Sequence, residues 1–102
     1  MELTHGDSGT EREVHVGEQI EVKLPENPTT GYRWQADVDS AALKQTNDSY
    51  EGAVQPRGAG GTRLVRFEAL RPGDVTLKLV KKRSWEQKAT DTFTVQLHVL
   101  PS

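Results

Sequence analysis

The chain has 102 residues, of which 33% are hydrophobic and 27% charged, a polar but globular balance suited to one domain. A net charge of −2 leaves no electrostatic footprint for nucleic acid or a membrane surface, and the absence of cysteine excludes disulfides and thiol catalysis. No apolar run reaches the ~18 residues of a spanning helix or resembles a signal-peptide core, so a periplasmic or secreted location would require a signal already removed.

Residues 1–10 are polar and without periodicity, and read as a loose N-terminal arm. From residue 11 to 102, alternation with period two marks half-buried strands almost throughout. EREVHV puts Val14 and Val16 on one face, and after Gly17 the run EQIEVKL does the same with Ile20, Val22 and Leu24. YRWQADV groups Tyr32, Trp34, Ala36 and Val38, with Trp34 suited to a central core position. Ser40 to Leu43 has room for one helical turn, and a more polar strand spans Lys44 to Tyr50. RLVRFEA buries Val65, Phe67 and Ala69; DVTLKLV buries Val75, Leu77 and Leu79; TFTVQLHV buries Phe93, Val95, Leu97 and Val99. Between the fifth and sixth strands, Arg71-Pro72-Gly73-Asp74 carries Pro and Gly where a type II turn wants them. The expectation is an all-β fold, an immunoglobulin-like antiparallel β-sandwich of about seven strands.

If successive strands run in opposite directions, the connections after the second, fourth and sixth emerge at one end. Those are Pro25 to Gly31, Glu51 to Thr62 and Arg83 to Ala89, and they hold the unusual loop chemistry: NPTTGY, PRGAGG and KKRSWEQ. Loops on a rigid sandwich commonly carry binding sites. Each loop also has a plainer reading. Asn27-Pro28 is a turn initiator, the Thr hydroxyls can bond locally, and Gly31 can simply supply a positive φ. Gly58-Ala59-Gly60-Gly61 can be slack, and it is no phosphate cradle because no helix follows it. Trp85, beyond the alternating core residues and among polar neighbours, is either an interface anchor paired with Arg83 or a cap folded over the core.

Catalysis has no support here. His5, His15 and His98 are scattered, alternation points His15 and His98 away from the core, and the carboxylates form a solvated face. No metal site, cofactor or catalytic residue is expected. The rival to a loop-borne protein interface is an immunoglobulin-like module for carbohydrate or another protein, in which Trp85 stacks on a sugar ring.

NPTTGY after LP, the Gly-x-Gly-Gly loop and the Arg-x-Trp loop, in this order over nearly the whole chain, resemble the chagasin family of papain-like cysteine peptidase inhibitors. NPTTGY is the specific element. The resemblance implies a sandwich whose three loops enter the peptidase cleft and block it reversibly. It makes Asn27, Pro28, Thr29, Thr30, Gly31 and Tyr32 the central wedge, with Thr30 nearest the target's catalytic pair. Gly58, Ala59, Gly60 and Gly61 would lie along the substrate groove, while Arg83 and Trp85 would contact its other side. The partner would be a papain-like peptidase, with no nucleic acid, no membrane-spanning segment and a monomeric free state. One departure is Ser84-Trp85-Glu86-Gln87, where the family typically has Pro before the Trp and Gly soon after it. A looser loop loses more entropy on docking, which bears on affinity and target preference.

The residue types suit a stopper. Thr and Gly are small enough for close approach to a nucleophile, Pro28 restricts the chain before binding, and glycines let backbone lie against a groove. Trp85 supplies apolar area with few torsions to freeze.

Overall fold

The computed structural model describes residues 1–27, 30–52 and 60–102. Its strands are β1 (Glu2–Thr4), β2 (Thr10–His15), β3 (Gln19–Glu26), β4 (Tyr32–Ala36), β5 (Leu43–Glu51), β6 (Gly61–Ala69), β7 (Gly73–Arg83) and β8 (Asp91–Leu100), with one 3-10 turn at His5–Asp7. They form two four-stranded sheets, ordered β1-β3-β6-β5 and β2-β8-β7-β4. That arrangement matches the two-sheet plan of an immunoglobulin domain. No helix among the described residues is long and apolar enough to cross a membrane.

Alternation becomes packing as expected over most of the chain. Ile20, Val22, Leu24, Val65, Phe67, Leu77, Leu79, Phe93, Val95 and Leu97 are buried and meet in one core between the sheets. Trp34 joins them, its indole Nε1 donating to the Pro25 carbonyl at 2.9 Å, so its polar atom is satisfied at the top of the core. Gly17 (φ 90°) and Gly73 (φ 127°) take the positive φ at their junctions that other residues resist.

Two features depart from the sequence reading. Residues 1–10 are not a loose arm. β1 pairs in parallel with β3, Leu3 is buried in the core, and the chain then crosses at His5–Gly9 to pair β2 in parallel with β8. Met1 and Leu3 are too few in a polar segment to establish a periodicity, and Met1 is exposed, although backbone pairing and one buried Leu suffice to hold the segment. The sandwich is therefore eight-stranded among the described residues, and its two N-terminal pairings are parallel while the remaining pairings are antiparallel. Second, β4 ends at Ala36, which is exposed, and Tyr32 is only half-buried. β4 is an edge strand, so its alternation exceeds the core available to it. The turn expected around Ser40 to Leu43 is present before β5, closed by bonds from the Ala42 and Leu43 amides to the Asp39 carbonyl, and Ala42 and Leu43 are buried.

On the outer face of the second sheet His98 lies between two carboxylates, 2.7 Å from Asp74 Oδ1 and 3.1 Å from Glu11 Oε1, linking β8 to both neighbours. Asp74 first, then Glu11, raises its pKa above the ordinary 6.5. The protonated ring is thus favoured in the folded state. Its contribution is complete below the unfolded pKa and is lost as pH rises through the higher folded value. His98→Gln should lower Tm relative to the parent at about pH 5.5, with the difference gone by about pH 8.5. Thermal melts across that range check the sign; an equal deficit at both ends would contradict it.

Candidate functional site

β3, β5 and β7 all deliver their following connections to the same end of the sandwich, and the described parts of these loops touch. Asn27 and Thr30 close the first loop on itself: the Asn27 carbonyl accepts from the Thr30 amide at 3.2 Å and from its hydroxyl at 2.8 Å. The Thr30 side chain is therefore held by its own loop rather than swinging freely. Gly31 turns the chain into β4 with φ 81°, and a Cβ there would lie 3.6 Å from the Trp85 ring and 3.9 Å from Arg83. Those are ordinary contact distances, so it is the left-handed φ rather than crowding by the third loop that favours glycine here.

Arg83, the last residue of β7, ties these loops together. Its Nε donates to the Thr30 carbonyl at 3.3 Å, and its guanidinium lies 4.4 Å from the Tyr32 ring centre and 5.8 Å from that of Trp85. Glu86 meets its charge at 3.3 Å. An arginine within reach of two aromatic rings, with Nε donating to the first loop and Nη1 to Glu86, is a spacer of fixed geometry. Beyond it the Trp85 side chain is 71% exposed. That exposure rules out the core-cap reading and leaves a large apolar ring in water at the loop end.

Gly60 joins the second loop to the first. Its φ is 72°, and a Cβ would approach the Asn27 Cβ to 3.0 Å and the Glu26 carbonyl to 3.2 Å. At Gly61, which opens β6, a Cβ would overlap the Glu51 carbonyl. Both glycines are therefore required by close backbone approach, not by slack alone. Pro28, Thr29, Gly58 and Ala59, also singled out in the sequence, lie outside the described residues.

Under the loops sits an ionic cluster that the sequence reading passed over. Glu26 is buried, as is Arg63, and Glu26 Oε2 accepts from Arg63 Nη2 at 2.6 Å and Nε at 3.0 Å. Glu26 Oε1 accepts the Trp34 amide at 2.8 Å, and Arg63 Nη1 reaches Asp48 at 3.1 Å. A signal did exist: Glu26 is in phase with Leu24, and Arg63 with Val65, so alternation aims both inward. Two opposite charges on adjacent strands at inward positions should have been read as a pair.

Residues 13–99 match the family described as Chagasin family peptidase inhibitor I42. The chain belongs to the chagasin family. It is 32% identical over 102 residues to Amoebiasin-1 of Entamoeba histolytica, covering 97% of this chain and 99% of that protein. Chagasin of Trypanosoma cruzi is 29% identical over 103 residues, covering 93% and 94%. Among solved structures, the cysteine protease inhibitor EhICP2 of Entamoeba histolytica superposes with a TM-score of 0.86 at 21% identity, over 97% of this chain and 93% of that one, a likeness of fold. As a member of the chagasin family the chain is a peptidase inhibitor and not an enzyme. His5, His15 and His98 lie apart and pair with Asp91, Glu18 and Asp74 respectively.

Proposed function

We propose that the chain inhibits papain-like cysteine peptidases reversibly and without covalent chemistry, by filling the active-site cleft with the three loops at one end of the sandwich. The observation that carries this reading is the close packing of the loops on one another. Arg83 holds the first loop through Thr30, Gly60 lets the second approach Asn27 closely, and Trp85 stands exposed beside Gly31. Preorganised loops lose less entropy when they dock. Asn27 to Tyr32 then act as the central wedge, Gly58 to Gly61 as the contact along the substrate groove, and Trp85 as the apolar anchor. Arg83 acts mainly by positioning its neighbours. The chain acts as a monomer in this reading. The target's catalytic cysteine is covered rather than consumed, since the chain offers no thiol or electrophile to react with it.

The deciding experiment is titration of papain with the purified domain. Stoichiometric loss of activity, with the domain recovered intact by mass spectrometry, is the expected result. Sugar-dependent quenching of tryptophan fluorescence without inhibition would select a carbohydrate-binding module, and a persistent covalent adduct would overturn occlusion.

Trp85→Ala provides a residue-level check. Truncating an interface anchor costs ~2–4 kcal/mol of binding, about 30- to 1,000-fold in the inhibition constant. Because the indole is exposed, Tm should stay close to the parent's. Unchanged inhibition with a large fall in Tm would remove Trp85 from the interface.

A further inference from the structure

The outer face of the second sheet carries an unfavourable pair that the fold does not explain. Arg33 on β4 and Lys82 on β7 are direct cross-strand partners. Outward positions on opposed strands bring their side chains close, and like charges there destabilise the sheet. Among the described residues neither has an ion-pair partner, although carboxylates pair with other cations across the molecule, including Glu86 with the adjacent Arg83. Lys81, next in sequence, turns the other way and sits 6.0 Å from the Trp34 ring.

The position of the pair is specific. Arg33 follows Tyr32 and Lys82 precedes Arg83, the residues whose stacking joins the first and third loops. Towards the opposite end of the same face the sign reverses. Asp74, Glu11 and Glu13 lie there, at the level of His98 and Gln96 on β8. Lys78 occupies the intermediate level opposite Thr94. The face is thus a dipole with its positive end at the loops, on a chain whose net charge is −2.

We propose that Arg33 and Lys82 form an electrostatic docking point for carboxylates on the rim of the target peptidase's cleft, and that the charge gradient turns the loop end towards an acidic enzyme during approach. The inference rests on the inhibitory reading of the loop end and extends it to a surface outside the three loops. A net negative inhibitor is repelled by an acidic enzyme at long range. A dipole with its positive pole at the binding end offsets that repulsion in the productive orientation, which is the condition for steered association. The repulsion between the two cations is relieved when a partner's carboxylate lies between them.

The test compares the parent with the double variant Arg33→Gln/Lys82→Gln against a papain-like peptidase of acidic pI, using stopped-flow association between about 20 mM and about 0.5 M salt. The variant should associate about 3- to 10-fold more slowly at low salt, with the difference disappearing at high salt as the charges are screened. Its Tm should be no lower than the parent's, because a like-charge pair has been removed. A parental association rate and salt slope in the variant would overturn the proposal, as would a slowing equal at all salt concentrations. A parent that inhibits while the variant shows either of those results leaves the inhibitory reading intact. A parent that does not inhibit at all overturns both.

Discussion

Thr30→Trp is expected to abolish inhibition, raising the inhibition constant by more than about 1,000-fold, which corresponds to over ~4 kcal/mol. The size of the effect follows from how the loops are joined. Thr30 lies in a loop closed on the Asn27 carbonyl, and that loop is bonded to Arg83 on one side and closely packed against Gly60 on the other. A bulky ring at the tip of the wedge cannot be accommodated by shifting the first loop alone, because the second and third loops would have to move with it. Steric misfit at one contact is therefore felt at all three. Thr30→Ser keeps the hydroxyl that donates to Asn27 and should stay within about 10-fold of the parent. Inhibition constants for the two variants, measured with melts to confirm folding, decide the matter. If both inhibit like the parent, NPTTGY is a connector and the wedge lies elsewhere.

Arg63→Ala should lower the free energy of unfolding by about 3–5 kcal/mol, since it leaves a carboxylate buried without its counter-charge. The Glu26 side chain is fully buried, and Arg63 supplies two of its hydrogen bonds. Natural domains of this size hold only about 5–15 kcal/mol in total, so the variant would be near the limit of folding. Inhibition should weaken as well. Glu26 also accepts the Trp34 amide, and the neighbouring Pro25 carbonyl accepts the Trp34 indole, so the cluster fixes the stem from which the first loop springs. Removing both charges together, as Glu26→Gln with Arg63→Met, should be milder than Arg63→Ala alone, because no uncompensated ion remains. Urea unfolding of the single and double variants measures the difference. A loss below about 1 kcal/mol for Arg63→Ala would show that water or a neighbour replaces the guanidinium.

These predictions separate two kinds of information. Period-two alternation in residues 11–102 was enough to name most of the core, because a strand buried on one face must repeat its apolar residues every second position. Turn residues and strand count were enough for the sandwich, and the direction of successive strands was enough to gather three loops at one end. The motif NPTTGY, with the glycine and Arg-x-Trp loops in order, was enough for the family.

Alternation did not reveal how far each strand's pattern is used. Tyr32, Trp34 and Ala36 share one phase, yet only Trp34 is buried, since an edge strand meets opposing core over part of its length. Nor did it reveal β1, where burial of Leu3 and a parallel ladder to β3 replace periodicity altogether. The role of Arg83 likewise depends on neighbours distant in the chain. The sequence presents it as a contact for a partner, whereas its stacking on Tyr32 and its bond to Thr30 make it the brace of the loops.

The sequence by itself determined the all-β class, the inward residues of the central strands, the end of the molecule at which the three loops gather, and the family. All of these follow from local spacing and residue type. Only the tertiary structure decided that Glu26 and Arg63 neutralise each other beneath the loops, that Gly60 is a close-approach point, that Trp85 faces water, and that Arg33 meets Lys82. Each of those facts depends on which strand lies beside which and in what register, and register is set by the packing of the whole sandwich rather than by any one segment.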